Sequence, residues 1–364
     1  MESNENIIPE QQEQQEQQEH HEQQEQQPEQ PNTSKARDYK TVCAKLGISM
    51  CVYFICRLLA GFISSLLVNS GLLTNQTAHN LITSLILIVF VYVIPLLFTA
   101  IIFNSFTEYK GKFKVLYEKP KRLARAMGTF PATFGFGHGI ALITLLISYL
   151  YTRFFGGETY IENLLRPPVM EPSTNIPGVL AMVFMLVIIA PLFEEFLVRG
   201  IMYDALKPYG TGIAILISSL LFGLMHGSLY MLFYTTAYGL ALGYIRYATG
   251  SLFTVTILHM IVNSISAFTL LLGTMQVITN EENRLINTTY MIYMIAVLVM
   301  IIVGVAVFLS KIPAIKKYRF ENPWTEAGPW KKVGWFFCTI PGIIMMIFAF
   351  NELSMGLLTN LLRQ

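Results

Sequence analysis

The sequence predicts an all-α, polytopic transmembrane helical bundle of about eight or nine spans that follows a disordered N-terminal tail. Hydrophobic residues make up 53% of the 364 residues and charged residues only 13%, whereas soluble domains carry about 25% charged residues. The mean hydropathy is +0.50, and apolar runs of about 20 residues, the length that crosses a bilayer, recur along the chain. This pattern excludes an ordinary soluble protein.

The tail is rich in Gln and Glu, which make up more than half of residues 1 to about 36. Such a composition cannot form an apolar core, so residues 1–38 are predicted to be a disordered cytoplasmic segment. The tail has no positively charged start and no apolar stretch, and it is therefore not a signal peptide.

Nine apolar segments follow the tail, and they are expected near residues 43–68, 80–103, 131–155, 176–198, 211–226, 229–247, 250–273, 289–310 and 333–350. Eight spans result if the fifth or the last segment does not cross. Only two residues separate the fifth and sixth segments, so these are expected to form a tight antiparallel pair. The chain then divides into N-terminal helices (39–175), a central core (176–273) and C-terminal helices (274–364).

Positive charge is concentrated in the connections after the second and eighth segments, which carry Lys110, Lys112, Lys114, Lys119, Lys121, Arg122, Arg125, Lys311, Lys316, Lys317, Arg319, Lys331 and Lys332. By the positive-inside rule these connections and the N-terminus are cytoplasmic. The expected protein is an integral multi-pass membrane protein whose surroundings are the lipid bilayer, and no nucleic-acid partner is expected.

Ionisable groups interrupt three of the apolar segments. Glu194, Glu195 and Arg199 end the fourth, His226 ends the fifth, and His259 lies inside the seventh. A charged side chain at membrane depth costs roughly 2.5–3.5 kcal/mol on insertion scales, so these groups are functional candidates. Together they predict one shared polar chamber.

The spacing predicts a division of labour between the two carboxylates. Glu195 and Arg199 are four residues apart and can pair along one helical face. Adjacent helix positions differ by about 100°, so Glu194 faces elsewhere and is free to act as a general base. His226 follows Phe222 by four residues, and Asn263 follows His259 by four.

These groups could supply both requirements of peptide hydrolysis. Glu194 and His226 could hold and deprotonate a water, while His259 and Asn263 could donate hydrogen bonds to a developing oxyanion. Metal binding is an alternative use of the same atoms. Glu194, His226 and His259 could ligate a divalent ion such as zinc, although the sequence has no HExxH motif.

The order of the motifs is similar to that of the CPBP family of intramembrane proteases, which includes CAAX prenyl endopeptidases and bacteriocin-processing, Abi-like members. The motifs are EExxxR, FxxxH and HxxxN, and they read here as Glu194-Glu195-Phe196-Leu197-Val198-Arg199, Phe222-Gly223-Leu224-Met225-His226 and His259-Met260-Ile261-Val262-Asn263. All defining positions match, and the resemblance covers about residues 176–273.

The resemblance implies an endopeptidase that cuts near the cytoplasmic membrane face. It implies that Glu194 and His226 activate water, that His259 and Asn263 stabilise the oxyanion, and that Glu195 and Arg199, with Phe222, support the site. Family members are often called metalloproteases, and a metal-free, glutamate-dependent mechanism is also proposed for them. The implied substrate is a peptide or protein, prenylated in eukaryotic branches, and a bacterial cell membrane is the expected location here.

A non-enzymatic function is the alternative. Carboxylates and histidines inside a membrane also serve proton-coupled transporters, and a peptide-sequestering immunity protein could use the same chamber. Transporters often contain internal repeats with interrupted helices, and none is evident in this sequence.

Overall fold

The computed structural model describes residues 32–71, 76–103, 122–155, 176–279, 283–317 and 320–362. Within these ranges the regular structure is entirely helical, which confirms the predicted fold class. The predicted disordered tail up to residue 31 and most of the basic connection after the second segment lie outside the described residues. Residues 32–38, which the prediction assigned to the tail, are helical.

Ten helices follow one another along the described chain. The first three are α1 (Asn32–Asn69), α2 (Gln76–Leu87, Ile88–Val93 and Ile94–Ile102) and α3 (Leu123–Phe155). The helix that carries the carboxylates is α4, which runs over Ile176–Tyr209 with short changes of helical type. The remaining six are α5 (Thr211–Leu224), α6 (Leu229–Thr249), α7 (Leu252–Ile278), α8 (Arg284–Lys317), α9 (Pro329–Phe337) and α10 (Ile340–Leu362).

Six of the described helices are long and apolar enough to cross a membrane, and a seventh span results if α9 and α10 count as one span bent by 74°. The six are α1, α2, α3, α4, α7 and α8. Helix α5 is a shorter apolar helix, and 14 residues at about 1.5 Å each fall short of the roughly 30 Å hydrocarbon core. The predicted fifth segment is thus too short to cross alone, and the predicted sixth segment, α6, is not among the six.

The outer surface of α8 shows why this bundle belongs in a bilayer. Ile292, Ile295, Val299 and Ile302 recur at helical spacing and are each more than half exposed. A soluble protein rarely leaves such a continuous apolar stripe in contact with water, whereas lipid tails cover it without cost. The protein is therefore an integral membrane protein.

By internal packing the chain divides into two units, Met1–Tyr39 and Lys40–Gln364. The described part of the first unit is the start of α1. Glu194, Glu195, His226 and His259 all lie within the second unit.

Helices α2 and α4 contain wide π-helical turns, at Ile88–Val93, Met185–Ile189 and Phe196–Met202. Two of these turns stand directly before a proline at the second position of the next helical segment, Pro95 and Pro191. Proline lacks the N–H of the regular ladder and its ring displaces the preceding turn, which accounts for the local widening. The third turn contains Arg199, and π-turns are frequent at functional sites.

A hydrophobic cluster holds this part of α4 in place. In it, Phe196 and Ile201 pack against Ala100 of α2 and Leu252 of α7. Between helices in a membrane, close packing and polar contacts replace the hydrophobic effect as the stabilising force. The packing on both sides of Arg199 therefore limits how far that turn can move.

Helices α3 and α8 cross with their backbones in contact at two glycines. A Cβ on Gly304 would lie 2.4 Å from the carbonyl oxygen of Pro131 and 2.8 Å from the backbone of Gly135. Neither neighbour is a side chain that can rotate away. Small residues at such a crossing are the usual means by which membrane helices approach closely.

We expect Gly304→Ala to destabilise the bundle by roughly 1–3 kcal/mol, the usual cost of overpacking. The matched control is Gly128→Ala in α3, where a Cβ would meet nothing within 4 Å. Thermal unfolding in detergent would compare the two variants. Equal melting temperatures for both would contradict a backbone-to-backbone crossing at Gly304.

Candidate active site

The two carboxylates of α4 have different surroundings. Glu195 and Arg199 are both completely buried, and Arg199 Nη1 donates to Glu195 Oε1 at 3.0 Å. This is the pair that the four-residue spacing predicts. The Glu194 side chain is 13% exposed and forms no ion pair with an arginine among the described residues. The two glutamates therefore have different surroundings as well as different directions on the helix.

Two further contacts hold the Arg199 guanidinium. Nη2 donates to the Gly239 carbonyl of α6 at 3.2 Å, and the guanidinium carbon lies 4.5 Å from the centre of the Phe222 ring on α5. A Cβ on Gly239 would lie 2.9 Å from the Ser219 side chain. Glycine therefore allows α5 and α6 to approach, and this places both contacts around one arginine.

His259 of α7 lies between the two glutamates. Its Nδ1 is 2.9 Å from Glu195 Oε1, and its Nε2 is 3.8 Å from Glu194 Oε2. A carboxylate only accepts hydrogen bonds, so Nδ1 carries the proton in this contact. Glu195 thereby fixes the orientation of the imidazole ring, and the ring directs Nε2 at Glu194.

His226 lies at the end of α5, and its Nδ1 is 2.8 Å from the Phe222 carbonyl oxygen. Because a carbonyl oxygen accepts, Nδ1 again carries the proton, and Nε2 of the neutral ring is left as an acceptor. The Phe222 ring is 4.9 Å from the His226 ring and 5.7 Å from the His259 ring. Phe222 therefore touches three of the motif side chains: Arg199, His226 and His259.

Asn263 and His259 belong to the same motif but bind different partners. Its Nδ2 donates to the Leu186 carbonyl oxygen at 2.9 Å, and Leu186 lies in the first π-turn of α4. The sequence predicts that His259 and Asn263 aim at one point, whereas here one binds glutamate and the other binds backbone. The amide nitrogen has a second N–H, which this contact does not use.

The metal alternative finds no grouped set of ligands here. Among the residues that the structure describes, no three His, Cys, Asp or Glu side chains are grouped so that they could hold a metal ion. Both histidines use Nδ1 for protein contacts, which is also how metal-binding histidines are usually held, and His259 Nε2 faces the Glu194 carboxylate. The buried Glu195 Oε2 also has no hydrogen-bond partner among the described residues, but Oε1 of that group is already held by Arg199.

The structure adds residues that the motifs do not predict. Tyr53 and Arg57 of α1 both donate to the Met225 carbonyl next to His226, and Glu352 of α10 pairs with Arg57. The ring of Tyr92 lies 5.9 Å from that of Phe193, which precedes Glu194. A signal was available for Arg57, since it is a cation inside the first apolar segment.

His138, which the sequence suggests as a structural or substrate-lining residue, lies outside this cluster. Its Nδ1 is 2.7 Å from the Tyr238 hydroxyl, a contact that joins α3 to α6. Its ring lies 4.0 Å from that of Phe134, one turn earlier in α3.

Residues 176–265 match the family model described as type II CAAX prenyl endopeptidase Rce1-like. Through this segment the chain is similar to the CAAX-protease family. The match confirms the resemblance predicted from the three motifs, and it contains Glu194, Glu195, Arg199, Phe222, His226, His259 and Asn263. It covers about a quarter of the 364 residues. No curated protein and no solved structure matches the chain significantly.

Proposed function

We propose that the protein is an intramembrane endopeptidase of the CAAX-protease type that hydrolyses a peptide bond with a water activated at Glu194. The observation that carries this proposal is the position of His259, which Glu195 and Arg199 orient toward Glu194 inside the segment that matches the family. The family match supports a peptidase, and the geometry supports the roles of the individual residues.

Glu194 is the general base in this proposal. Its Oε2 and His259 Nε2 are 3.8 Å apart, so one water can lie within ordinary hydrogen-bond distance of both. The water proton moves to Glu194 while the water oxygen attacks the scissile carbonyl carbon. Glu194 then returns the proton to the leaving nitrogen as the carbon–nitrogen bond breaks. The acceptor at His226 Nε2 assists by holding the second water proton.

His259 and Asn263 are the proposed stabilisers of the oxyanion. His259 donates through Nε2 when both ring nitrogens carry protons, and Asn263 has one N–H beyond its bond to Leu186. Substrate binding must then bring the carbonyl oxygen between the two side chains. Glu195 and Arg199 touch no reacting atom in this scheme and act as positioning residues.

The chemistry is expected near the cytoplasmic membrane face. The predicted apolar run of α4 ends at residue 198, shortly after Glu194, although the helix itself continues to Tyr209. Lys207 lies in that continuation, on the side predicted to be cytoplasmic by positive charge. The cytoplasmic N-terminus and the bacterial membrane remain predictions. A substrate that reaches this depth carries an apolar segment or a prenyl chain next to the cleaved bond.

The test is cleavage by the full chain reconstituted in lipid vesicles. A farnesylated CAAX peptide and the same peptide without the farnesyl group would be offered, and products would be identified by mass spectrometry with and without a chelator. Cleavage that persists with chelator supports the glutamate-dependent route, and loss with chelator that zinc restores would support the metal. Transport of peptide without any cut product would favour the non-proteolytic alternative.

A further inference from the structure

The turn that carries His226 leaves a backbone carbonyl available at the end of α5. Helix α5 ends at Leu224, and Gly227 turns the chain with φ +64° towards α6. The amides of Met225, His226 and Gly227 bond back to the preceding helical turn. Among the described residues, no backbone N–H in this turn donates to the Met225 carbonyl oxygen. The carbonyl end of a helix also bears partial negative charge.

Two side chains of α1 bind this carbonyl from more than 160 residues away in sequence. The Tyr53 hydroxyl donates to the Met225 oxygen at 3.0 Å, and Arg57 Nη1 donates to the same oxygen. Tyr53 is 5% exposed, so its hydroxyl has little access to other partners. A cation and a neutral donor therefore satisfy the same helix end, directly before His226.

Glu352 of α10 holds the arginine from its other side. Its Oε2 lies 3.5 Å from Arg57 Nε, and the Glu352 side chain is 9% exposed. An unpaired charge at this depth is costly, so the pair fixes both long side chains in a membrane bundle. The Arg57 guanidinium of α1 therefore contacts both α10 and the turn that carries His226.

Gly227 brings the backbone directly against this pair. A Cβ at Gly227 would lie 2.6 Å from Arg57 Nη2 and 2.9 Å from Glu352 Oε2. The turn thus rests on the charged groups with no side chain between them. A displacement of the guanidinium is transmitted to the backbone next to His226.

We propose that Tyr53, Arg57 and Glu352 form a clamp that positions His226 for catalysis. The three residues lie outside the 176–265 segment that matches the family, so the site depends on helices at both ends of the chain. They are positioning residues, because they act through the Met225–Gly227 backbone. The kinetic test of this inference rests on the proposed peptidase function, whereas the hydrogen-exchange test does not.

The test compares wild type with Arg57→Ala, Arg57→Lys and Tyr53→Phe, with Arg153→Ala as the control at an exposed arginine of α3. Arg57→Ala is expected to lower kcat on the order of 10²-fold with little change in KM, since a misplacement of about 1 Å can cost that much. Arg57→Lys should restore part of kcat because it keeps the charge. Tyr53→Phe should lower kcat roughly five-fold, the equivalent of one hydrogen bond.

Hydrogen–deuterium exchange of the peptide over residues 222–230 supplies the readout that needs no activity. Exchange is expected to rise in Arg57→Ala and to stay at the wild-type level in Arg153→Ala. Unchanged exchange in Arg57→Ala would overturn the clamp, and so would a rise in KM at constant kcat, which would make Arg57 a substrate-binding residue. An inactive wild type would count against the proposed function, while the exchange result would still decide the clamp.

Discussion

Glu194→Gln is expected to lower kcat for peptide cleavage by roughly 10²–10⁴-fold, the usual contribution of a general base. Glutamine keeps the shape of the side chain but cannot accept a proton from water. The side chain is only 13% exposed, so bulk buffer has poor access and is not expected to replace it. Initial rates in lipid vesicles would measure the loss.

The matched control is Glu321→Gln, the same chemical change at an exposed carboxylate after α8. This variant should cleave at the wild-type rate. If Glu194→Gln retained more than half of the wild-type kcat, Glu194 would not be the base, and the mechanism proposed above would be wrong. Unchanged melting temperatures in both variants would assign the loss to chemistry rather than to folding.

Arg199→Met is expected to destabilise the protein by roughly 3–5 kcal/mol, because it leaves the Glu195 charge buried without its partner. Both side chains of this pair are completely buried, and Arg199 additionally binds the Gly239 carbonyl. The double variant Glu195→Gln/Arg199→Met removes both charges and should recover much of that stability. Unfolding in detergent would measure all three proteins.

The control for the Arg199 variants is Arg246→Met, which breaks the ion pair between Arg246 and Asp204. The side chains of that pair are 14% and 20% exposed, so its loss should cost less than that of Arg199. A cost for Arg199→Met no larger than for Arg246→Met would contradict the importance of the buried pair. Activity should be lost in the double variant although its stability returns, because His259 then loses the carboxylate that orients it.

The helical spans and the chemical groups of the site could be predicted from local signals. Apolar runs of span length determine where helices form in lipid, since backbone groups there must bond within their own segment. The Glu195–Arg199 pair follows from four-residue spacing on one helix, and the structure contains it. The sequence also predicts that residues 211–226 cross the membrane. The helix found there has 14 residues and is too short to do so.

The contacts of His259 and Asn263 could not be predicted from spacing. The two residues share a face of α7, and the partner of each belongs to α4. Asn263 binds the Leu186 carbonyl, which lies in a π-turn before Pro191, and His259 binds Glu195. The prediction from spacing applies to a regular α4 helix. Insertion of wide turns changes which groups of α4 face α7.

The sequence by itself determined the type of protein, its helices, and the motif residues that carry the chemistry, because each of these depends on composition or on spacing within one helix. Only the tertiary structure decided that His259 joins the two glutamates and that Arg57 and Glu352 reach the His226 turn. The His259–Glu195 contact joins residues 64 positions apart, and the contact of Arg57 with the His226 turn joins residues 168 positions apart. Such pairs are set by how the helices pack, and no local pattern in the chain records that packing.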